Sequence, residues 1–259
     1  MSTAPLRVWE SFLTVYRRVW LSNVLGSFVQ PLLYLLGMGV GVGTLVDNGT
    51  GNAAALGGVG YFEFFAPALI ATTAMFAAAN EAMWPVMDGF MWSNAYRSMA
   101  ATPLRPVDII NGQALWMATR AGISATGVAA VLALFDQTRS WGLVGAVAAA
   151  ALTGLAFGMP LAAWSSTRSV DQSFPAIMRF VITPMFLFAG AFYPVDQLPS
   201  WLHPVAYATP LWHGVELSRG AVLGTLQPGA TVVHVAVLAT CAMAGWTICR
   251  VTFARRLAR

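Results

Sequence analysis

Charged side chains inside long apolar stretches are the first residues of this sequence that could do chemistry. Four of them stand in such surroundings: Glu63, Glu81, Arg120 and Arg179. An ionisable group in an apolar segment is costly, so it usually lines a pathway, relays protons or pairs with an opposite charge. These residues are candidates for a proton relay or for contact with an amphiphilic, anionic substrate.

A second group combines histidine with a carboxylate in the last quarter of the chain. His213 and Glu216 have the i, i+3 spacing of two metal ligands on a helix, and His203 lies nearby. Two histidines and one acid are weak grounds for a metal site. We predict no metal here and expect Glu216 to pair with Arg219 on a helix surface instead.

Several catalytic sites are excluded or disfavoured. All 14 basic residues are arginine, and the absence of lysine excludes a P-loop and a lysine Schiff base. No HExxH motif is present, and Gly122-Ile123-Ser124 lacks the following glycine of a GxSxG motif. An intramembrane enzyme is therefore a minor alternative, and we expect this chain to bind no cofactor.

The composition predicts an all-α integral membrane protein. Hydrophobic residues make up 58% of the 259 residues and charged residues only 9%, against about 25% charged in soluble domains. Runs of about 20 apolar residues can cross the hydrocarbon core, and lipid-exposed backbone must be helical. We predict six transmembrane helices, at 20–45, 61–84, 109–134, 141–164, 174–193 and 231–253. Gly154 and Gly158 predict a close helix contact in the fourth.

The arginines predict the orientation. With both termini in the cytoplasm, ten arginines lie at the inner side and only Arg139 and Arg219 lie outside, as the positive-inside rule requires. This distribution explains the net charge of +4 without a nucleic-acid partner. The lysine-free, alanine- and arginine-rich composition suggests a bacterium with a GC-rich genome, and hence the bacterial cytoplasmic membrane.

Three of the charged residues have predicted positions inside the spans. Arg120 lies eleven residues into the third span, where it either lines the route of a substrate or pairs with an acid or carbonyl groups on a neighbouring helix. Glu81 is placed near the inner end of the second span. Arg179 is close enough to the start of the fifth span to extend towards the cytoplasm.

Residues 5–19 are predicted to form a helix in the inner membrane interface, in contact with lipid. Apolar residues recur three or four positions apart, with arginines and a glutamate between them. The apolar positions are Leu6, Trp9, Phe12, Leu13 and Tyr16. A solvated tail is the alternative.

The cytoplasmic connection between the second and third spans contains a predicted short helix at 93–101. Ser93 can cap its start, and Pro103 and Pro106 prevent its continuation. Tyr96 and Met99 give one apolar side beside Arg97. A soluble partner could bind such a helix, although an ordinary surface loop is the alternative.

The outer connection, 194–230, is too apolar and aromatic for a hydrated loop, yet prolines interrupt it. We predict two short helices, 200–207 and 211–223, embedded at the outer interface. Non-helical backbone at this depth needs protein or a water-filled cavity around it. The segment is therefore expected to cap the outer end of a pathway.

Three stretches of the sequence resemble the ABC-2-type exporter permeases, in particular the NodJ-like branch of nodulation-factor export permeases. The most specific is ITPMFLFAGAFYPVDQLPSWLHPVAYATPLWHGVELSRG, residues 182–220. The others are SNVLGSFVQPLLYLLGMGVGVG in the first span and ATPLRPVDIINGQ before the third. The similarity extends over nearly the whole chain.

The resemblance implies an inner interfacial helix, six spans, a coupling helix between the second and third spans, and a re-entrant helical pair before the sixth. It implies a dimer of permeases, with a second copy or a paralogue, and two cytoplasmic ATPase subunits that bind ATP and Mg²⁺. The coupling helix would be 93–101, with Ser93, Tyr96, Arg97 and Met99 as its coupling residues. An outer gate would contain Gly190, Pro194, Pro199, Pro210, His213, Glu216 and Arg219.

We therefore expect the permease subunit of an ATP-binding-cassette exporter for a lipid-linked saccharide, a glycolipid or a hydrophobic drug. Without lysine, the chain lacks the nucleotide-binding lysine of such ATPases, so the energy must come from another polypeptide. The alternative is a proton- or ion-coupled carrier that uses the intramembrane charges as a relay. It is disfavoured because the acids are placed near span ends and no inverted repeat is visible.

Overall fold

The computed structural model describes residues 3–47, 56 and 58–258. All regular structure in these ranges is helical, as the composition predicts. The first half contains α1 (Ala4–Tyr34), π-helical turns at Leu35–Val42, α2 (Gly43–Asp47), α3 (Tyr61–Phe65), α4 (Ala68–Met91), α5 (Ala95–Ala100) and α6 (Pro106–Leu132).

The second half has the same character, with a series of short helices before the last long one. Its elements are α7 (Gly142–Ser165), α8 (Phe174–Ile177), π-helical turns at Met178–Ile182, α9 (Thr183–Phe188), 3₁₀ turns at Val195–Gln197 and Ser200–Leu202, α10 (His203–Ala208), α11 (Pro210–Leu223) and α12 (Pro228–Leu257).

Four helical segments among the described residues are long and apolar enough to cross a membrane. They are Tyr61–Met91, Pro106–Leu132, Gly142–Ser165 and Pro228–Leu257. Two shorter apolar helices, Pro31–Asp47 and Phe174–Phe188, lie in the predicted first and fifth spans. The four long segments start and end within a few residues of four predicted spans, except at the inner end of the second.

The helix of the second predicted span does not end at 84, because α4 continues to Met91. A proline inside a helix removes one hydrogen bond, here the bond to the carbonyl of Glu81, but it need not end the helix. Val86, Met87 and Phe90 beyond Pro85 are all buried. Burial of these three apolar side chains stabilises the helix beyond the proline.

The helix of the fifth predicted span, by contrast, ends earlier than predicted, at Phe188 rather than 193. Gly190 has φ +76°, which L-residues with a side chain rarely adopt, and it turns the chain out of the helix. Inside the helix, the Thr183 amide donates to the carbonyl of Met178, five residues earlier, which forms the π-helical turns. Pro184 follows and has no amide hydrogen to donate.

The amino-terminal part of α1 packs along α6. The backbone leaves helical geometry at Val19 (φ −123°, ψ 15°), where the predicted interfacial helix ends. Val8, buried to 1% exposure, faces Gly112, and the ring of Phe12 stacks on Trp116 with centroids 6.1 Å apart. Leu6 was expected on the apolar side and is instead 51% exposed.

The centre of the bundle is α7, which packs against α4, α6, α11 and α12. Small residues allow this close approach. A Cβ atom on Gly154 would lie 2.5 Å from the Cβ of Ala121, and one on Gly158 would lie 3.0 Å from the sulfur of Met117. The predicted close contact at Gly154 and Gly158 is confirmed.

Gly154→Ala should therefore destabilise the bundle, by about 1–3 kcal/mol for an overpacked site. Gly122→Ala is the matched control, because a Cβ atom there would meet nothing within 4 Å and alanine favours a helix by about 1 kcal/mol. The measurement is thermal unfolding in detergent, followed by thiol-dye labelling of the buried Cys249. Equal unfolding temperatures for both variants would contradict this packing.

Candidate functional sites along the bundle

The short helix α5 is fixed to the bundle through one buried side chain, Tyr96, which is 1% exposed. Its phenol donates a hydrogen bond of 2.9 Å to Oε1 of Gln113 in α6. Its ring lies 4.7 Å from that of Phe90 in α4 and 5.3 Å from that of Phe253 in α12, between centroids. We call Tyr96, Phe90, Gln113 and Phe253 the inner anchor.

Gly89 makes room for this anchor. A Cβ atom on Gly89 would overlap the ring of Tyr96, so a larger residue would displace the ring. The ring of Phe12 in α1 also lies 6.4 Å from that of Tyr96, edge to face. One phenol thus touches four helices of the bundle at the end where α4, α7 and α12 finish.

The other side of α5 is open. Arg97 and Ser98 are exposed, whereas Met99 is half-buried against the apolar residues around the inner anchor. The helix therefore has the two-sided character that its sequence predicts, with Tyr96 inward and Arg97 outward. Such a surface could receive a soluble partner.

Ser93 does not cap this helix, so that prediction is wrong. Because α4 runs to Met91, Ser93 completes its last turn: its amide and its hydroxyl both donate to the carbonyl of Asp88, each over 3.1 Å. Asn94 precedes α5 in the left-handed conformation (φ 53°) without a side-chain cap. The helix is accordingly shorter than 93–101.

Halfway along the bundle, Arg120 pairs with Glu81. Its Nε lies 3.3 Å from Oε2 of Glu81, and the two side chains are only 10% and 14% exposed. Nε1 of Trp116 donates to the other carboxylate oxygen over 2.7 Å. The guanidinium carbon lies 4.6 Å from the centre of the Tyr16 ring. We call Glu81 and Arg120 the midspan pair.

The position of Glu81 near the inner end of its span is corrected by this geometry. Since α4 continues to Met91, Glu81 stands ten residues before the end of the helix. Glu81 therefore lies well before the end of its helix, at the level of Arg120. Of the two alternatives for Arg120, the structure has the pair with an acid on a neighbouring helix.

The other two intramembrane charges lie elsewhere. Glu63 stands in the first turn of α3, where its carboxylate accepts a hydrogen bond of 3.2 Å from the amide of Gly60. Arg179 is exposed on the π-helical turns at Met178–Ile182. The four charged residues are thus not gathered into one relay.

At the other end of the bundle, Arg219 joins three segments. Its Nε donates to the carbonyl of Phe64 over 3.0 Å, and its Nη2 donates to the carbonyl of Gly190 over 2.8 Å. Its Nη1 lies 2.6 Å from the carboxylate of Glu216. The guanidinium carbon lies 3.7 Å from the centre of the Phe64 ring. We call Arg219, Glu216, Gly190 and Phe64 the outer lock.

The pair of Glu216 and Arg219 is confirmed, but its place on a helix surface is wrong. Arg219 is only 8% exposed. A buried guanidinium needs hydrogen-bond acceptors around it, and here they are carbonyl groups 155 and 29 residues away in sequence. No local pattern could indicate Phe64, because its backbone oxygen is what binds.

The remaining residues of the predicted outer gate shape the chain around this lock. Pro194 and Pro199 immediately precede the 3₁₀ turns Val195–Gln197 and Ser200–Leu202. Pro210 is the first residue of α11, whose start is capped by the hydroxyl of Thr209. The two predicted outer helices, 200–207 and 211–223, thus agree with the structure to within a few residues, although a 3₁₀ turn begins the first.

His213 has a partner that the sequence analysis missed. Its Nδ1 lies 2.7 Å from Nδ1 of His234 in α12, and the ring of Trp212 packs against both imidazoles. The 21 residues between the two histidines give no motif. Within the part of the chain that the structure describes, no three His, Cys, Asp or Glu side chains are grouped as metal ligands.

Comparison with known proteins places this helical bundle beside membrane transporters. A family described as ABC-2 type transporter matches residues 6–223. Nodulation protein J of Rhizobium leguminosarum bv. viciae is 34% identical over 258 residues, which cover 98% of this chain and 95% of that protein. Nodulation protein J of Rhizobium meliloti (strain 1021) is 30% identical over 220 residues, covering 85% and 81%. Inner membrane transport permease YadH of Escherichia coli (strain K12) is 24% identical over 223 residues, covering 84% and 82%.

The midspan pair predicts a non-additive response to substitution. Glu81→Gln or Arg120→Gln alone leaves one buried charge without its counter-charge and should cost about 3–5 kcal/mol. The double variant removes both charges and should cost clearly less than the sum of the two. Unfolding free energies in mixed micelles give the comparison, and strictly additive losses would contradict a direct ion pair.

The outer lock predicts that Arg219→Lys is a severe change. An ammonium group cannot reproduce the planar fork that reaches two carbonyl groups and a carboxylate, and the loss should be about 2–4 kcal/mol. Arg139→Lys is the matched control, because that side chain is 62% exposed. Its effect should stay within about 0.5 kcal/mol. Thermal unfolding of the two variants side by side is the measurement, and similar losses would refute the lock.

Proposed function

The chain belongs to the ABC-2 type transporter family, and from this we propose that it is the permease subunit of an exporter driven by a separate ATPase. The observation that carries the proposal is the geometry of α5. Arg97 and Ser98 are exposed on one side of this helix, and Tyr96 on the other side is buried between three long helices. A partner bound to α5 would act directly on the bundle.

The partner in this proposal is a pair of cytoplasmic ABC ATPase subunits that bind ATP and Mg²⁺. The chain has no lysine, so it cannot supply the P-loop lysine that holds the nucleotide phosphates. In this proposal, the energy of ATP therefore has to come from another polypeptide. The open side of α5, with Arg97 at its centre, is our candidate for the point of entry.

The inner anchor would transmit a displacement of α5 to the rest of the bundle. Tyr96 packs against Phe90 and Phe253 and donates to Gln113, so displacement of α5 shifts α4, α6 and α12 together. Packed interiors transmit such shifts because they have little free volume. We propose that closure of the ATPase subunits moves these inner ends as a group.

The outer end must then open. We propose that the predicted gate residues form it, with Arg219 leaving the carbonyl groups of Phe64 and Gly190 during the cycle. The pathway would run between two permease copies, identical or paralogous, and carry a lipid-linked saccharide, a glycolipid or a hydrophobic drug.

The membrane arrangement in this proposal keeps one permease domain with six spans in the bacterial cytoplasmic membrane. The four long helices would be joined by Pro31–Asp47, with the part of α1 before it, and by Phe174–Phe188. Both termini would be cytoplasmic, with 5–19 at the inner interface and 194–230 re-entering from outside. The exposed apolar side chains of α12, among them Val232, Met243 and Ile248, suit contact with lipid.

Arg97→Glu tests the proposed function. In a complex of the chain with its ATPase in nanodiscs, Arg97 in this proposal faces acidic groups of the partner. Reversal of this exposed charge should then lower permease-dependent ATPase activity by about tenfold, because like charges at an interface cost several kcal/mol. Arg139→Glu, an exposed arginine at the other end of the bundle, should leave the activity unchanged. Equal activities of the two variants would contradict entry of energy through α5.

A further inference from the structure

A pair of imidazoles joins α11 to α12 beside the outer lock. The Nδ1 atoms of His213 and His234 are 2.7 Å apart, and their ring centroids are 5.0 Å apart at 60°. His213 is only 5% exposed. Trp212 packs on both rings, with centroid distances of 4.8 Å and 5.0 Å. We call His213 and His234 the histidine pair.

The distance between the two nitrogens restricts the protons that the pair can hold. Two bare nitrogens would face each other with their lone pairs, so a contact of 2.7 Å requires one hydrogen between them. Two neutral imidazoles satisfy this if one carries its hydrogen on Nδ1, and one added proton preserves it. A second added proton places hydrogens on both Nδ1 atoms, and the contact cannot survive.

The surroundings of His213 disfavour its protonation. Burial, and then the neighbouring His234, lower the pKa of His213 below its usual value, while a hydrogen bond with the backbone of Tyr207 acts in the opposite direction. His213 therefore binds a proton less readily in the folded chain than in the unfolded chain. Its contribution to the stability of the folded chain is complete above about pH 6.5 and is lost as the pH falls below that value.

Few other charged groups face the pair. Glu216 on α11 acts on His234 through its charge, and it is itself bound to Arg219. The backbone of Tyr207 on α10 faces His213, and the phenol of the same residue donates to Asp196. The helix α7, which packs against both α11 and α12, has no charged residue in its sequence, and neither does α12 before Arg250, apart from His234.

The histidine pair is connected to the outer lock through α11. Trp212 lies against the turn at Gly190, where a Cβ atom would be 3.4 Å from its Cδ1. The carbonyl of the same glycine accepts from Arg219 on the next turns of α11. A change in how α12 holds α11 therefore acts on the segment that carries the lock.

We propose that the histidine pair is a proton-operated latch: protonation of both imidazoles releases α12 from α11 and loosens the outer lock. Placing the latch at the outer face rests on the proposed function, whereas the release of α12 from α11 does not. External acidity would then favour the outward-open state, and acidic conditions outside the cell would regulate export at the gate.

Hydrogen–deuterium exchange of the full chain in nanodiscs tests the latch, without ATPase, nucleotide or cargo. Exchange in α11 and in the first turns of α12, corrected for intrinsic rates, should be about tenfold faster at about pH 5 than at about pH 7.5. His234→Gln keeps a hydrogen-bonding amide that does not titrate, so this pH dependence should vanish. His213→Gln is a second variant with the same expectation.

His203→Gln is the matched control. Nε2 of His203 lies 2.9 Å from the carbonyl of Leu198, and the ring is outside the pair, so the pH response should persist. The latch is refuted if the unmodified chain shows no acid-dependent exchange, if the response survives in both pair variants, or if it disappears in His203→Gln. None of these results bears on the proposed function, because no motor subunit is present in the measurement.

Discussion

The burial of Tyr96 is the contact on which the proposed coupling depends. A short helix of six residues has little stability of its own, so α5 keeps its position because its tyrosine is enclosed by α1, α4, α6 and α12. In the proposed mechanism, the same enclosure lets α5 transmit a displacement to the bundle. A displacement of its open side would act on all four of these helices through one phenol, and Gly89 is required for that phenol to fit.

Two buried arginines hold the bundle together at the levels where the proposed movement would act. Arg120 binds Glu81 halfway along the bundle, and Arg219 binds two distant carbonyl groups at the far end. Both contacts are polar contacts inside an apolar bundle, where a group without a partner would cost several kcal/mol. Such contacts have discrete made and broken states. A bundle with a polar contact at each level is thus suited to a cycle of discrete conformations.

Sequence reasoning predicted the helical class, four of the long spans, the outer helices and the contact of Gly154 and Gly158, because each leaves a local signal. Apolar length, prolines at helix starts and small residues four apart are such signals. It failed for the inner end of α4, because the predicted span stops at 84, whereas the burial of Val86, Met87 and Phe90 favours continuation of the helix. That error displaced Glu81. It also missed His234 and Phe64, since partners 21 and 155 residues away leave no pattern.

Site-specific photo-cross-linking from α5 tests the central claim most directly. A photoreactive residue in place of the exposed Ser98, in cells that contain the whole transport system, should form a covalent adduct with a soluble subunit carrying GxxxxGK[ST]. The same residue in place of Arg139, exposed at the opposite end, should form no such adduct. Absence of a nucleotide-binding subunit from the Ser98 adducts, in cells where export proceeds, would contradict a motor that acts through this helix.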